Sequence, residues 1–292
     1  MTFRTRFAPS PTGPLHLGHA YSALVAYDMA QAAQGMFLLR MEDIDQSRAR
    51  AEWERQIYDD LAWLGLSWPS PVLKQSENMA AYTAALDRLH VIGVLYPCYC
   101  RRQDIRAALS APQEGGTPVY GPDGLVYPGT CRGLRAQPAT NIEPAIRLDM
   151  RKALSFIDAN DLGPLCFEET GDSAPGSIVL ESDSLTTQIG DIVVARRDMG
   201  TSYHLSVVVD DASQGITHVV RGRDLFEATQ IHVVLQRLLD LPTPVYHHHK
   251  LVRDEAGKRL AKRDDARAIS KYRSEGLSPN DIRRLVGVQS PT

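Results

Sequence analysis

The sequence predicts an α/β fold in which helices wrap a parallel sheet, and three observations predict it. Strand-like and helix-like periodicities alternate over the first 65 residues, a proline- and glycine-rich loop joins the first strand to the first helix, and the alternation returns from Ile189 to Leu239 after a long irregular stretch. The 292 residues suffice for one large or two modest domains with a sizeable core.

Thr2–Phe7 reads as the first strand and Pro9–Pro14 as a loop. His16–Gln34 reads as a helix with Ala20, Leu24 and Tyr27 on one stripe and Gly35 as its stop. Met36–Met41 is a buried strand, and Arg48–Leu64 a second helix ended by Gly65. Ser76–His90 is a third helix with Ser76 as its N-cap, and Leu95–Tyr99 a further strand. From Arg101 to Gln188 proline and glycine are dense and only short strand-like pieces remain, so this stretch reads as an insertion between two halves of a sheet. Apolar runs resume at Ile189–Ala195, Tyr203–Val209 and Ile216–Val220, followed by a helix over Phe226–Leu239. Past Pro242 and Pro244 lies a basic tail. The expected divisions are therefore 1–97 for the first half of the sheet domain, 98–188 for the insertion, 189–245 for the second half, and 246–292 for a basic loop and short helical C-terminal segment.

Hydrophobic residues at 43% and charged residues at 23% exclude a disordered or fibrous chain. A net charge of −3 excludes a protein that coats nucleic acid non-specifically, so any such contact must be a local patch. Residues 250–292 offer one, with 11 Lys/Arg against 6 Asp/Glu, a net of +5. The uncharged run Phe7–Tyr27 is broken by Pro9, Pro11 and Pro14, so it is no membrane span, and the N-terminus lacks the layout of a secretion signal. Four cysteines suit a metal site in a reducing cytoplasm better than a disulfide framework, and a cytoplasmic location is expected.

The strongest chemical signal is Pro9–Ala20 (PSPTGPLHLGHA), set between a first strand and a first helix. Backbone N–H groups and the helix dipole face whatever binds above the sheet at such a turn. His16 and His19, three apart, project from one side of the first turn, and Gly18 leaves room for a flat ring. Two ring donors at a helix N-terminus suit charge building on a phosphoryl group. Gly257–Arg263 (GKRLAKR) is weaker alone, but its clustered cations can reach a leaving pyrophosphate.

Together these two segments resemble the signature motifs of class I aminoacyl-tRNA synthetases. Arg6–Gly13 (RFAPSPTG), Arg40–Asp45 (RMEDID), Tyr203–Asp211 (YHLSVVVDD) and Gly215–Gly222 (GITHVVRG) resemble, more closely, the glutamyl-tRNA synthetase catalytic domain, from residue 3 to about 265. The resemblance implies a Rossmann-like parallel-sheet catalytic domain of the class I synthetases, split by a zinc-containing insertion. It implies His16, His19 and Lys262 as catalytic residues stabilising phosphate charge, with His16, Gly18, His19, Arg259 and Lys262 at ATP, which carries Mg2+. It assigns glutamate contacts to Arg6, Ser10, Glu42, Tyr203 and Arg221. The chemistry agrees, since a dicarboxylate with one ammonium needs cations and one anion, and Arg6, Arg221 and Glu42 supply them. Asp43 and Asp45 are read as helix-capping or structural. The family's late loop usually carries serine before the second lysine, whereas this chain has Ala261, and Arg259 where lysine is common; Lys262 keeps its place.

Cys98 and Cys100 are too close for an easy disulfide and well spaced for one metal, with Cys131 across the Pro/Gly segment. Spacing leaves Cys166 or a histidine as the fourth ligand. Tyr127–Cys131 (YPGTC) however resembles the zinc segment of the glutamyl-queuosine tRNA(Asp) synthetases, which implies Tyr127. His247, His248 and His249 point in different directions as neighbours and are expected to be exposed or to flank the nucleotide loop. A discriminating glutamyl-tRNA synthetase carries a large helical anticodon-reading domain after the lysine loop, and about 29 residues follow Arg263 here. The resemblance therefore implies a monomeric, ATP-dependent ligase. It would activate L-glutamate without tRNA and pass it to queuosine in tRNA(Asp); the alternative is ordinary charging of a tRNA 3′ end.

Overall fold

In the computed structural model, which describes residues 2–110, 119–134, 143–172, 174–252 and 267–289, β1 (Arg4–Phe7) leads through the loop into α1 (Leu17–Ala32). Ala20, Ala23, Ala26 and Ala30 are fully buried there, and their small side chains let α1 lie close on the sheet. The chain turns at Gly35, where a Cβ would stand 2.2 Å from the Phe3 carbonyl oxygen, and returns as β2 (Met36–Met41), parallel to β1. Helix α2 (Ala51–Trp63) ends before Gly65, whose φ of 83° reverses the chain at little steric cost. Strand β3 (Leu73–Lys74) is parallel to β2, and α3 (Met79–Val91) and β4 (Leu95–Cys98) come after it. The N-cap of α3 is Asn78, not Ser76. Ser76 instead donates its backbone N–H and hydroxyl to Asp43 at 2.8 and 2.6 Å, which places Asp43 in a structural role.

Next come α4 (Arg102–Ser110), the hairpin β5 (Tyr120–Gly121) and β6 (Gly124–Leu125), β7 (Ala145–Leu148), α5 (Met150–Ala159), β8 (Cys166–Glu169) and β9 (Gly176–Val179). A short α6 (Ser182–Ser184) runs into a π-helical turn before β10 (Ile192–Ala195). Residues 145–180 share one core with the C-terminal half of the sheet domain: Leu148, Met150, Ile157 and Phe167 pack with Val194, Val208, Val234 and Tyr246. Strand β7 pairs antiparallel with both β4 and β10, so the division expected at 188 is not a break in packing. The elements there are only two to ten residues long, too short to show a period through the surrounding prolines and glycines.

The stretch 203–209, read with the apolar runs, is helical: α7 spans Tyr203–Ser213, with the Ser202 hydroxyl accepting from the Leu205 N–H. Strand β11 (His218–Gly222), α8 (Thr229–Leu238) and β12 (Val245–His249) complete this half, and β12 occupies the expected start of the tail. Strands β11, β12 and β8 run parallel, with β9 antiparallel at the edge. Strand β11 lies beside β1, where the Arg4 N–H donates to the Thr217 hydroxyl at 2.8 Å and the Thr217 N–H to the Arg4 carbonyl at 3.1 Å. The strand order reverses between β1 and β11, and such a switch point opens a crevice at the strands' carboxyl ends.

The chain closes with α9 (Ile269–Ser274) and α10 (Pro279–Val286). Helix α10 is held on α1 by fully buried Ile282 and by Arg283, which forks onto Asp28 at 2.7 and 2.9 Å. Ile282→Ala should therefore destabilise the protein by about 2–4 kcal/mol, the cost of an unfilled aliphatic site. Chemical denaturation checks this, and an unchanged midpoint would show that α10 does not belong to the core.

Candidate active site

The crevice at the switch point holds a cavity of about 430 Å³. Arg6, Phe7 and Ala8 reach it from the end of β1, Glu42 from β2, Arg221 and Gly222 from β11, and His249 from β12. His16, Gly18 and His19 come from the start of α1 and Tyr203 from the start of α7. A second lobe of about 370 Å³ shares Phe7, Ala8, His19, Glu42 and Tyr203 and adds Ser10. Of the residues singled out by sequence, Arg6, Ser10, His16, Gly18, His19, Glu42, Tyr203 and Arg221 thus line one cleft. Arg259 and Lys262 lie outside the described residues. On either side of them Val252 lines the cavity and Ala268 bridges to His16, with the Ile269 N–H donating to the Leu15 carbonyl at 2.8 Å.

His16 caps α1. Its Nδ1 accepts from the Gly18 N–H at 3.1 Å, and its own N–H donates to Nδ1 of His19 at 3.2 Å. Each Nδ1 is an acceptor, so each neutral ring carries its proton on Nε2. The rings lie 3.8 Å apart, and the cap orients two N–H donors beside a helix N-terminus.

Below them is a buried ion lattice. Asp211 of α7 accepts from Nε and Nη2 of Arg6 at 2.9 and 3.2 Å and from Nη1 of Arg40 at 2.7 Å. Its neighbour Asp210 accepts from Gln75, Asn78 and Tyr82 and lies 3.6 Å from Arg40. Burial would raise the pKa of Asp211, but Arg6 and Arg40 outweigh it and hold the group below the usual carboxylate range. Glu42 accepts from Arg40 at 3.3 Å, and burial pushes its pKa up despite both arginines. Two arginines face three carboxylates in this cluster, and Glu42 is the one that lines the cavity.

Arg221 is paired differently. Its Nε donates to Nε2 of His248 at 3.1 Å, Nη1 to Nδ1 of His232 at 3.1 Å, and Nη2 to the Thr229 hydroxyl at 2.7 Å. No carboxylate among the described residues lies within ion-pair reach of it. Burial and the adjacent Arg221 charge push His232 and His248 below the ordinary histidine pKa, so both stay neutral acceptors. His248 passes its Nδ1 proton toward Glu169, whose Oε1 also accepts the N–H groups of Gly171 and His248 at 2.6 and 2.9 Å. His248 and His249 are buried, which overturns the expectation that the triplet is exposed; His249 lines the cavity, and the nucleotide loop it was alternatively expected to flank lies outside the described residues. The Asp210–Asp211 lattice and the histidine support of Arg221 escaped sequence reading.

The third cluster lies apart from the cleft. The Sγ atoms of Cys98, Cys100 and Cys131 lie within 4.8 Å of one another and can hold a metal ion. The Tyr127 hydroxyl stands 3.4 Å from Cys98 Sγ and 3.3 Å from Cys100 Sγ, and accepts the Cys131 N–H at 2.8 Å. Cys166 begins β8 and is not part of the group. Arg147 stacks on the Tyr127 ring at 3.9 Å, and a cavity of about 770 Å³ beside the cluster is lined by Arg102, Arg106, Arg147, Arg196 and Arg197.

Known proteins share this architecture. The family model described as tRNA synthetases class I (E and Q), catalytic domain, matches residues 2–153 and 164–289. A glutamyl-Q tRNA(Asp) synthetase of Rhodobacter capsulatus is 60% identical over 97% of this chain and 99% of its own length. A protein of the same name from Burkholderia cenocepacia is 42% identical over 92% of this chain and 83% of its own. Among solved structures, a glutamate tRNA ligase from Elizabethkingia meningosepticum in complex with its amino acid aligns with a TM-score of 0.74 at 25% identity. The alignment covers 98% of this chain, which spans 60% of that ligase. Methionyl-tRNA synthetase of Mycobacterium tuberculosis, at 10% identity and a TM-score of 0.59, shares the fold.

Because a guanidinium only donates, the bonds to Arg221 fix the tautomers of its partners: Nε2–H for His232 and Nδ1–H for His248. Nitrogen-15 NMR of the imidazoles should show those tautomers, with neither ring titrating between about pH 8 and about pH 5.5, a range spanning the ordinary value. Protonation of either ring near pH 6.5 would contradict the arrangement.

Proposed function

The chain belongs to the catalytic-domain family of the class I tRNA synthetases for glutamate and glutamine, and on that premise we propose that it activates L-glutamate with ATP and transfers it to the queuosine base of tRNA(Asp) in the cytoplasm. One observation carries the amino-acid assignment: a buried arginine whose partners among the described residues are neutral acceptors shares a cavity with a carboxylate from a cluster of three carboxylates and two arginines. Arg221, with Tyr203 beside it, receives a substrate carboxylate and Glu42 receives the ammonium, while Arg6, held by Asp211 through Nε and Nη2, lines the same cavity. Exchanging the carboxylate for the neutral amide of glutamine would forfeit a charge-assisted pairing with arginine.

In the reaction a glutamate carboxylate oxygen bonds to the α-phosphorus of ATP as the bond to pyrophosphate breaks. The Nε2–H groups of His16 and His19 donate to phosphate oxygens as charge builds on them, and the α1 N-terminus adds its partial positive charge. Neither ring acts as a base, since neither Nε2 has a lone pair to accept with. Lys262 and Arg259 supply the cations for the departing phosphates, with Mg2+ as the partner of ATP. The acyl group then passes to a hydroxyl of the modified base, releasing AMP. The name of the Rhodobacter capsulatus relative, matched over 99% of its length, supports that acceptor. Five arginines against three aspartates line the cavity near the cysteine cluster, a basic excess that supports contact with RNA phosphates.

The cysteine group is read as a structural zinc site. Three sulfurs and one phenol oxygen make a four-donor set for a tetrahedral ion, and the group fastens β4 to the segment that carries Tyr127. The purified protein should hold about one zinc per chain, as a single tetrahedral site requires. Cys100→Ser should lose the metal and expose residues 98–131 to proteolysis. Elemental analysis of folded wild type without zinc would sink this reading.

The acceptor is tested with two altered tRNA(Asp) preparations. One lacks its terminal adenosine and should still accept labelled glutamate; the other comes from cells unable to make queuosine and should accept none. If the first is inert and the second is charged, the protein is a 3′-end charging enzyme. Glutamate-dependent exchange of pyrophosphate into ATP should proceed without any tRNA, and equal exchange with glutamine would refute the assignment of the pocket.

A further inference from the structure

Arg221 is the head of a directed hydrogen-bond chain that leaves the cleft. Its Nη1 donates to Nδ1 of His232, which must therefore carry its proton on Nε2. That nitrogen lies 3.1 Å from Nδ1 of His204, which becomes the acceptor and leaves the His204 proton on Nε2. His204 Nε2 in turn lies 3.6 Å from Oδ1 of Asp123. A donor-only guanidinium at its head allows a single polarity for the two imidazoles, and the acceptor-only Asp123 carboxylate meets the proton at the far end through a longer, electrostatic contact. His232 and His204 are buried and sit on α8 and α7; Asp123 is in the turn of the β5–β6 hairpin, in the stretch read as an insertion. His204 also follows Tyr203 directly, and the Tyr203 ring lies 5.3 Å from His204 and 5.8 Å from His232.

We propose that Asp123, His204 and His232 are positioning residues for glutamate selection, acting through Arg221 and Tyr203 without touching the substrate. The inference rests on the glutamate assignment of the pocket. Asp123 anchors the chain from a hairpin that is not part of the cleft, so the insertion and the catalytic body complete one amino-acid site between them. The three residues lie on the Arg221 side, whereas His16 and His19 lie at the ATP side, so the chain governs one substrate and not the other.

The test compares full-length wild type with Asp123→Ala and Asp123→Glu. Asp123 is about half exposed in a turn, so neither change threatens folding. In glutamate-dependent pyrophosphate exchange, Asp123→Ala should raise the glutamate KM about 3- to 10-fold, with the ATP KM and kcat within about 2-fold, the pattern of lost ground-state binding. Asp123→Glu should recover most of the affinity. Nitrogen-15 NMR without substrate gives a second readout: Asp123→Ala should shift the ring nitrogens of both His204 and His232. Shifts that stop at His204, an unchanged glutamate KM, or an equal rise in the ATP KM would each overturn the proposal. Wild type that performs no glutamate-dependent exchange would refute the pocket assignment itself, while the NMR arm would still judge the chain.

Discussion

Asp211 is the contact on which the site depends. One carboxylate takes Arg6 from β1 and Arg40 from β2 and sits on α7, so it ties two strands and a helix together at the point where the strand order reverses. Adjacent helical residues point about 100° apart, and Asp210 uses that difference to reach Gln75, Asn78 and Tyr82 on the α3 side. Stripped of Asp211, Arg6 would lose its carboxylate and Arg40 its shortest ion pair in a nearly dry space, a loss of several kcal/mol. With it, both charges are compensated, and Glu42, which also accepts from Arg40, is the carboxylate of the cluster that lines the cavity, where a ligand ammonium can meet it.

The same molecule handles Arg221, another buried arginine of the cleft, in the opposite way. A carboxylate against Arg221 would quench it. Hydrogen bonds to a charged group contribute about 1.5–3 kcal/mol each, so three neutral acceptors offset a burial cost of several kcal/mol without cancelling the charge. The carboxylates Glu169 and Asp123 stand one and two imidazoles away. They orient the rings and leave the guanidinium's charge for a ligand.

Sequence disclosed the parts of the site that are local. His16, Gly18 and His19 share one turn, and their spacing is their geometry; Arg6, Glu42 and Arg221 stand beside strand ends that the alternation of elements already located. What stayed hidden depends on distant contacts. His232 and His248 are 16 residues apart, on a helix and a strand, and only the fold brings both to Arg221. The run Val207–Val209 is β-branched and favours strand, yet Ser202 caps a helix there and packing on α8 retains it. Three consecutive histidines in β12 look like a surface feature until the partner of one of them is known to be a buried cation. Likewise 145–180 reads as insertion because its elements are short, although its apolar residues join the main core.

Polarity unites these arrangements. Neutral imidazole donates at one nitrogen and accepts at the other, and its neighbours decide which. At α1 the acceptor nitrogens face backbone N–H groups, so His16 and His19 present donors, the form suited to phosphate oxygens. At Arg221 the acceptor nitrogens face a guanidinium, so His232 and His248 send their protons away from the cleft. Reversing either tautomer would set donor against donor at Arg221, or present lone pairs to phosphate at α1. A fixed fold can hold each ring in one state because each acceptor nitrogen faces a backbone amide or a guanidinium, groups that can only donate. On the proposed function, selectivity for a carboxylate at one end of the cleft and stabilisation of phosphate charge at the other therefore arise from one rule, applied with opposite sign.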